Sequence, residues 1–191
     1  MQSKKEATRQ RILETAAKII SRDGFEALGV ADVMKQAGLT HGGFYAHFPN
    51  RDALVAEALD YARKSSANTI ALAVVQQLEQ GAKPLTAYIE AYLSDAHVQA
   101  SFQGEGCPVA ALGSEFSRQE NAIKTEAVKA SQAFIEKLIA LSDQKLTRAN
   151  AFVLAGSLIG TLQLARSLKD QGDITGYLAA TKHHLLSTFS L

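Results

Sequence analysis

In the stretch Thr40-His41-Gly42-Gly43-Phe44-Tyr45-Ala46-His47-Phe48-Pro49-Asn50-Arg51, hydroxyl, imidazole, phenol and guanidinium donors follow one another closely around two consecutive glycines. Donors of these types serve phosphate oxygens and base edges, the two kinds of contact from which duplex recognition is built. Thr40 stands where it can cap a short helix by accepting a backbone N–H, and His41 then projects from a first turn that favours phosphate. Glycine costs about 1 kcal/mol relative to alanine inside a helix, and less in a first turn, so Gly42 and Gly43 together call for a reason. Close approach of backbone to nucleic acid is one. Phe44 and Phe48 lie four apart on a face predicted to turn inward, which leaves Tyr45, His47 and Arg51 to reach a sugar-phosphate backbone. The plainer alternatives are a core ring for Tyr45 and a helix-end residue for His47.

A second set of reactive or polar-tipped residues stands further along. Tyr88 and Tyr92 lie four apart, His97 follows, and Phe102 and Phe116 flank a glycine-rich loop; together they are predicted to line an apolar pocket with a few polar handles. Plain core packing is the competing role for each. Cys107 sits between Gly106 and Pro108 at the apparent start of a helix, where the macrodipole lowers a thiol pKa and suits a redox sensor. The bland alternative is a small buried hydrophobe. A different class of function, a helical small-molecule enzyme using Cys107 with a histidine, has only residue types in its favour, and no catalytic motif surrounds the cysteine. His183 and His184 are adjacent and point about 100° apart on a helix, so the five histidines lack ligand spacing; neither metal nor other cofactor is expected.

The elements that must position these residues are all helical. From Thr8 to Ser21, Ile12, Leu13, Ala16, Ala17, Ile19 and Ile20 recur at helical spacing, and Asp23-Gly24 supplies the stop. Val30, Val33 and Met34 mark a second short helix ending at Gly38, with Gly29 as its cap. A tight turn, Ala37-Gly38-Leu39-Thr40, then leads into the glycine-containing helix. Helix, turn and recognition helix is the helix-turn-helix order. Beyond it the pattern predicts helices over 51–80 and 85–98, a short helix from Pro108 to Ser117, and longer ones over 120–141, 147–169 and 173–189, the last two capped by Thr147 and Asp173.

Residues from about Thr8 to Ala62 resemble the DNA-binding domain of the TetR (TetR/AcrR-type) family of transcriptional regulators. The likeness rests on Ile12-Leu13, Ala16-Ala17, Gly24-Phe25, Ala37-Gly38-Leu39-Thr40, Phe44-Tyr45-Ala46-His47-Phe48 and Asn50-Arg51-Asp52-Ala53-Leu54. It implies an all-α chain in two parts: a three-helix helix-turn-helix domain over 1–51 and a larger helical effector-binding and dimerisation domain over 52–191. It also implies that Thr40, His41 and Gly43 face base edges or adjacent phosphates, that Tyr45 and His47 grip phosphate, and that Arg51 opens the next helix as its basic residue. Gly29 and Ala31 depart from the family pattern, which commonly has Ser or Thr at the first and a basic or polar residue at the second. With glycine at 42 and 43, base reading falls largely to Thr40 and His41, supplemented by DNA shape. The resemblance further implies a small-molecule effector of unspecified identity, and some relatives are described as sensing oxidants through cysteine in the region of Cys107. The function it points to is a ligand- or redox-responsive repressor that binds a palindromic double-stranded DNA operator as a dimer, and no enzyme activity.

The predicted helix 147–169 is apolar around much of its circumference, with Phe152, Val153, Leu154, Leu158, Ile159, Leu162, Leu164 and Leu168, and carries small residues Ala155, Gly156 and Gly160. Burial on more than one face follows. With 173–189 it forms the natural interface of a homodimer, which would set two recognition helices about 34 Å apart on successive major grooves; an internal core helix is the alternative.

Composition fits this organisation without demanding it. The 191 residues are 47% hydrophobic and 20% charged with net charge +1, the balance of an ordinary globular chain. Charge is uneven, with eight Lys or Arg against five Asp or Glu up to residue 51, and twelve against fourteen beyond it. No secretory leader is visible, and the apolar run from Phe152 to Ala165 is interrupted by Ser157, Thr161 and Gln163, so no membrane span is expected. One cysteine cannot form an intrachain disulfide, consistent with a reducing, cytoplasmic setting.

Overall fold

The computed structural model describes residues 3–169 and 172–189, so the outermost residues of both expected domain ranges lie outside the described residues. Helix α1, Lys4–Asp23, begins ahead of the predicted Thr8 because Ser3 and Glu6 form a capping box: the Ser3 hydroxyl accepts the Glu6 N–H at 3.1 Å and the Glu6 carboxylate accepts the Ser3 N–H at 2.7 Å. It stops at Gly24, whose φ of 91° is unfavourable for any residue with a Cβ. Helix α2, Val30–Gln36, follows Gly29 and closes through Gly38.

The predicted recognition helix adopts 3₁₀ geometry over His41–Ala46. Thr40 holds the capping position, but its hydroxyl makes no capping bond; its carbonyl instead accepts the Gly43 N–H at 3.1 Å. Six residues starting on two poor helix formers favour the tighter i→i+3 turn over a nucleated α-helix.

Helix α3, Arg51–Leu78, is capped by Asn50, whose side-chain oxygen accepts the Ala53 N–H at 2.8 Å. The single helix expected over 85–98 is two, α4 (Pro84–Tyr92) and α5 (Asp95–Phe102). Ser94 makes the break: its hydroxyl donates to the Ala91 carbonyl at 2.8 Å and accepts the His97 N–H at 3.2 Å, ending one helix and starting the next. Helix α6, Pro108–Leu112, is shorter than expected and gives way to a 3₁₀ turn at Phe116–Arg118. Then come α7 (Asn121–Leu141), α8 (Arg148–Ser167) and α9 (Ile174–Phe189), with Thr147 and Asp173 capping α8 and α9 as predicted. No strand occurs among the described residues.

Two apolar clusters organise these helices. One joins α1, α2, the 3₁₀ helix and the first turns of α3 as far as Ala62, and is completed by Leu112, Ile123 and Ala127 from the second half of the chain. The other takes the later part of α3 with α4 to α9. The head therefore shares α3 with the body, and its core runs past the boundary expected at residue 51.

Several polar ties reinforce that junction. Lys18 pairs with Glu105 at 2.7 Å, Arg166 donates to the carbonyls of Ser101 at 2.9 Å and Ser21 at 3.2 Å, and the Phe25 N–H donates to Glu115 at 3.0 Å. Gly104 lies directly on α1, with φ of 77° and a backbone so close that a Cβ would stand 2.4 Å from the Lys18 carbonyl oxygen. A Gly104→Ala substitution must both strain the backbone and part α1 from the loop. We expect it to lower stability by about 2–4 kcal/mol in urea unfolding; an unchanged midpoint would show that the loop yields freely.

Candidate nucleic-acid interface and effector cavity

The 3₁₀ helix divides its side chains between inside and outside. Phe44 and Phe48 are fully buried, their rings stacked at 5.9 Å. Tyr45 stands out at 67% exposed, edge-on to Phe44 at 5.2 Å. That position excludes the core alternative and offers its hydroxyl to an external partner. Thr40, His41, Gly42 and Tyr45 are all exposed, while Gly43 and His47 are half-buried. The His47 Nδ1 is buried without a hydrogen-bond partner.

The two glycines are not required by the protein itself. A Cβ on Gly42 would meet nothing within 4 Å, and one on Gly43 would make ordinary contact with Met34 and Thr40. Neither has a positive φ. Their bareness thus leaves an open patch on the outer surface, beside the hydroxyls and imidazole of Thr40, Tyr45 and His41.

Arg51 is a correction. It was predicted to reach phosphate, but its Nε donates to the Leu28 carbonyl at 2.8 Å, one terminal nitrogen donates to the Phe25 carbonyl, and the other lies 3.4 Å from Asp52. The guanidinium ties the α1–α2 connection to the start of α3 and so positions the interface from behind. Arg9 plays a similar part, bonded to both oxygens of Glu57 and lying 4.5 Å over the Phe48 ring.

A small cavity of about 70 Å³ opens between α3, α4, α6 and α7, lined among others by Arg63, Tyr88, Tyr92, Cys107, Phe134 and Lys137. Tyr88 and Tyr92 are thus where the sequence placed them. Phe102 and Phe116 are not: Phe102 lies under the Lys169 ammonium at 4.9 Å, and Phe116 packs 6.1 Å from Phe25 at the head junction. The break at Ser94 and the early end of α6 turn both rings away. Sequence reasoning missed Arg63, Phe134 and Lys137, which are brought in from helices distant in the chain. His97 is buried beside the cavity wall, its Nδ1 donating to the Tyr92 carbonyl at 2.6 Å, and burial pushes its imidazole below the ordinary histidine pKa despite that bond.

The premise of the redox expectation for Cys107, a thiol pKa lowered by the helix start, is not met. The thiol is buried, and desolvation pushes its pKa up, outweighing the Tyr92 hydroxyl and the α6 backbone amides that favour thiolate. A helix of five residues supplies little macrodipole against that loss of water. Among the described residues, no cluster of three metal-ligating side chains occurs and no helix is long and apolar enough to cross a membrane.

Helix α8 leaves Phe152, Val153 and Leu164 more than half exposed, and Gly156 and Gly160 have open space where a Cβ would stand.

Comparison with known proteins agrees with this geometry. The family model for bacterial regulatory proteins of the tetR family matches residues 12–58. An HTH-type transcriptional regulator of Mycobacterium tuberculosis is 29% identical over 173 residues, covering 85% of this chain and 86% of its own length. YxaF of Bacillus subtilis, another HTH-type transcriptional regulator, is 28% identical over 126 residues, 64% of this chain and 63% of its own. Among solved structures, a TetR-family regulator from Cytophaga hutchinsonii superposes with a TM-score of 0.80 at 21% identity, covering 98% of this chain and 96% of its own. One from Chloroflexus aurantiacus gives 0.77 at 21%, covering 98% and 96%. These structures share the fold.

The buried thiol has a direct check. In native protein near neutral pH, Cys107 is expected to react with a disulfide reagent at least about a hundredfold more slowly than in urea. Equal rates would restore it as an accessible sensor.

Proposed function

Because this chain belongs to the TetR family of DNA-binding transcriptional regulators, we propose that it is a cytoplasmic, effector-responsive repressor that binds a palindromic operator as a homodimer. The observation that carries the reading is the outer surface of the 3₁₀ helix, where exposed Tyr45 and His41 flank a glycine that the fold leaves unobstructed. His41 and Thr40 read base edges, and Tyr45 and His47 hold phosphate. Gly42 and Gly43 let the backbone come against the duplex. Most of the binding free energy comes from phosphate, so affinity falls steeply with salt. Two copies meet through α8 and α9, and the exposed Phe152, Val153 and Leu164 of α8 would be covered there. TetR-family proteins bind operators as dimers and respond to small molecules; here the cavity bounded by Tyr88 and Tyr92 is the effector site.

Helix α6 connects that cavity to the head. Its N-terminal end supplies Cys107, Pro108 and Val109 to the cavity wall, and just beyond its C-terminal end Glu115 accepts the Phe25 N–H. Five residues of helix span about 7.5 Å. Filling the cavity displaces α6, pulls Glu115 from the end of α1 and turns the head out of register with the groove.

Two experiments test these steps. Selection of genomic fragments on the purified protein yields the operator; on it, Gly42→Ala is expected to raise folding stability by up to about 1 kcal/mol while weakening binding about tenfold or more. Tyr45→Phe should weaken operator and non-specific duplex alike. Operator affinity unchanged by Gly42→Ala would remove the close-approach role. For the latch, Glu115→Ala leaves the Phe25 N–H unpaired; hydrogen exchange at the end of α1 should quicken by about tenfold, corresponding to roughly 1–2 kcal/mol of local stability. Unaltered exchange there would place the coupling elsewhere.

A further inference from the structure

The cavity contains two groups whose needs the protein leaves unmet. Lys137 on α7 is half-buried, its Nζ lies 4.9 Å from the centre of the Tyr88 ring, and it forms no ion pair among the described residues. A ring face compensates a desolvated ammonium only partly. Burial accordingly pushes its pKa below the ordinary lysine value. Tyr92 buries its hydroxyl completely at the cavity wall, where no oxygen or nitrogen partners it and only the Cys107 thiol, a weak acceptor, interacts with it. Polar groups left in this condition are uncommon inside proteins and call for an explanation, which a bound ligand would supply for both at once.

The surrounding charge and shape narrow what that is. Arg63 also lines the cavity; it pairs with Asp60 at 2.6 Å, but Asp60 serves Lys64 at 2.6 Å as well, so two cations share that carboxylate while Lys137 has none among the described residues. The walls are aromatic: Tyr88, Tyr92 and Phe134 place their ring centroids 5.4 to 6.3 Å apart, the spacing of tilted aromatic pairs. The volume of about 70 Å³ is roughly half that of a cavity known to take benzene, so one ring fits only by moving the walls.

We propose that the effector is a small one-ring aromatic carboxylate, held by its acid on Lys137 with Arg63 beside it, by its ring among Tyr88, Tyr92 and Phe134, and by a polar substituent on the Tyr92 hydroxyl. This rests on the cavity being the effector site of the regulator. A cationic ligand meets like charge, and a neutral hydrocarbon leaves both orphan groups unpaired. A long-chain acid exceeds the space. Because the ring must push the walls apart to enter, and Cys107, Pro108 and Val109 are one of those walls, binding and the displacement of α6 are the same event.

The test uses the full-length protein without DNA, by calorimetry and thermal shift, with 4-hydroxybenzoate, benzoate, benzamide and decanoate as probes. The two aromatic acids are expected to bind saturably. Lys137→Met should weaken both about tenfold or more without altering benzamide, and Lys137→Arg should restore most of the acid binding. Tyr92→Phe should weaken 4-hydroxybenzoate several-fold more than benzoate. The proposal is overturned where neither acid binds saturably, where benzamide or decanoate binds as well as the acids, or where Lys137→Met and wild type bind the acids alike. Operator retention by the ligand-free protein is measured separately, so loss of DNA binding and loss of ligand binding are distinguishable outcomes.

Discussion

Helix α3 buries Leu54, Val55, Ala58, Leu59 and Ala62 in the head cluster and Ile70 and Val74 in that of the body. At 28 residues it is about 42 Å long, with one unbroken ladder of backbone hydrogen bonds. Neither core can be rearranged without involving the helix the other also uses. The remaining features serve this shared element: Asn50 fixes where it begins, Arg51 ties its first turn to the α1–α2 connection, and Arg9 braces it from α1 through Glu57. On the opposite side Glu115, Arg166 and the Gly104 loop hold α1 against the body. The head is thus gripped from two directions, and only a change that loosens one grip can reorient it.

The recognition surface shows how function and stability diverge within a few residues. Phe44 and Phe48 anchor the 3₁₀ helix by burying their rings, while Gly42 and Gly43 contribute no packing and weaken the local helix. Were the fold alone at stake, alanine would serve better at both places. Their presence beside an exposed tyrosine accords with the proposed close approach of a duplex, and the stacked phenylalanines supply the rigidity that the glycines forgo.

Much of this was legible in the sequence, and the reasons for the exceptions are physical. Apolar spacing located α1, and Gly24, Thr147 and Asp173 marked ends and starts because caps act locally. The core role of Phe44 and Phe48 followed from their separation alone. What escaped depended on distant partners or on solvent. Arg51 binds carbonyls that spacing does not place near it, and Phe102 and Phe116 left the cavity because Ser94 broke one helix and α6 ended early. For Cys107, a local dipole argument gave the wrong direction because burial, invisible in the sequence, is the larger effect. Lys137 did carry a signal: it interrupts the apolar series Ile123, Ala127, Ala130, Phe134 and Leu141 at a position where that helical spacing calls for another hydrophobe.

Arg166 belongs to the helix whose outer face is proposed to meet a second copy, yet its guanidinium reaches across to the Ser21 carbonyl near the end of α1. In the proposed homodimer, this side chain is one of the contacts that set the distance between the two heads. A lineage acquiring an operator with a different number of base pairs between its halves would have to alter that strut and its seat on α1. The residues proposed to touch the bases could remain as they are, so spacing and letter sequence can evolve as separate characters.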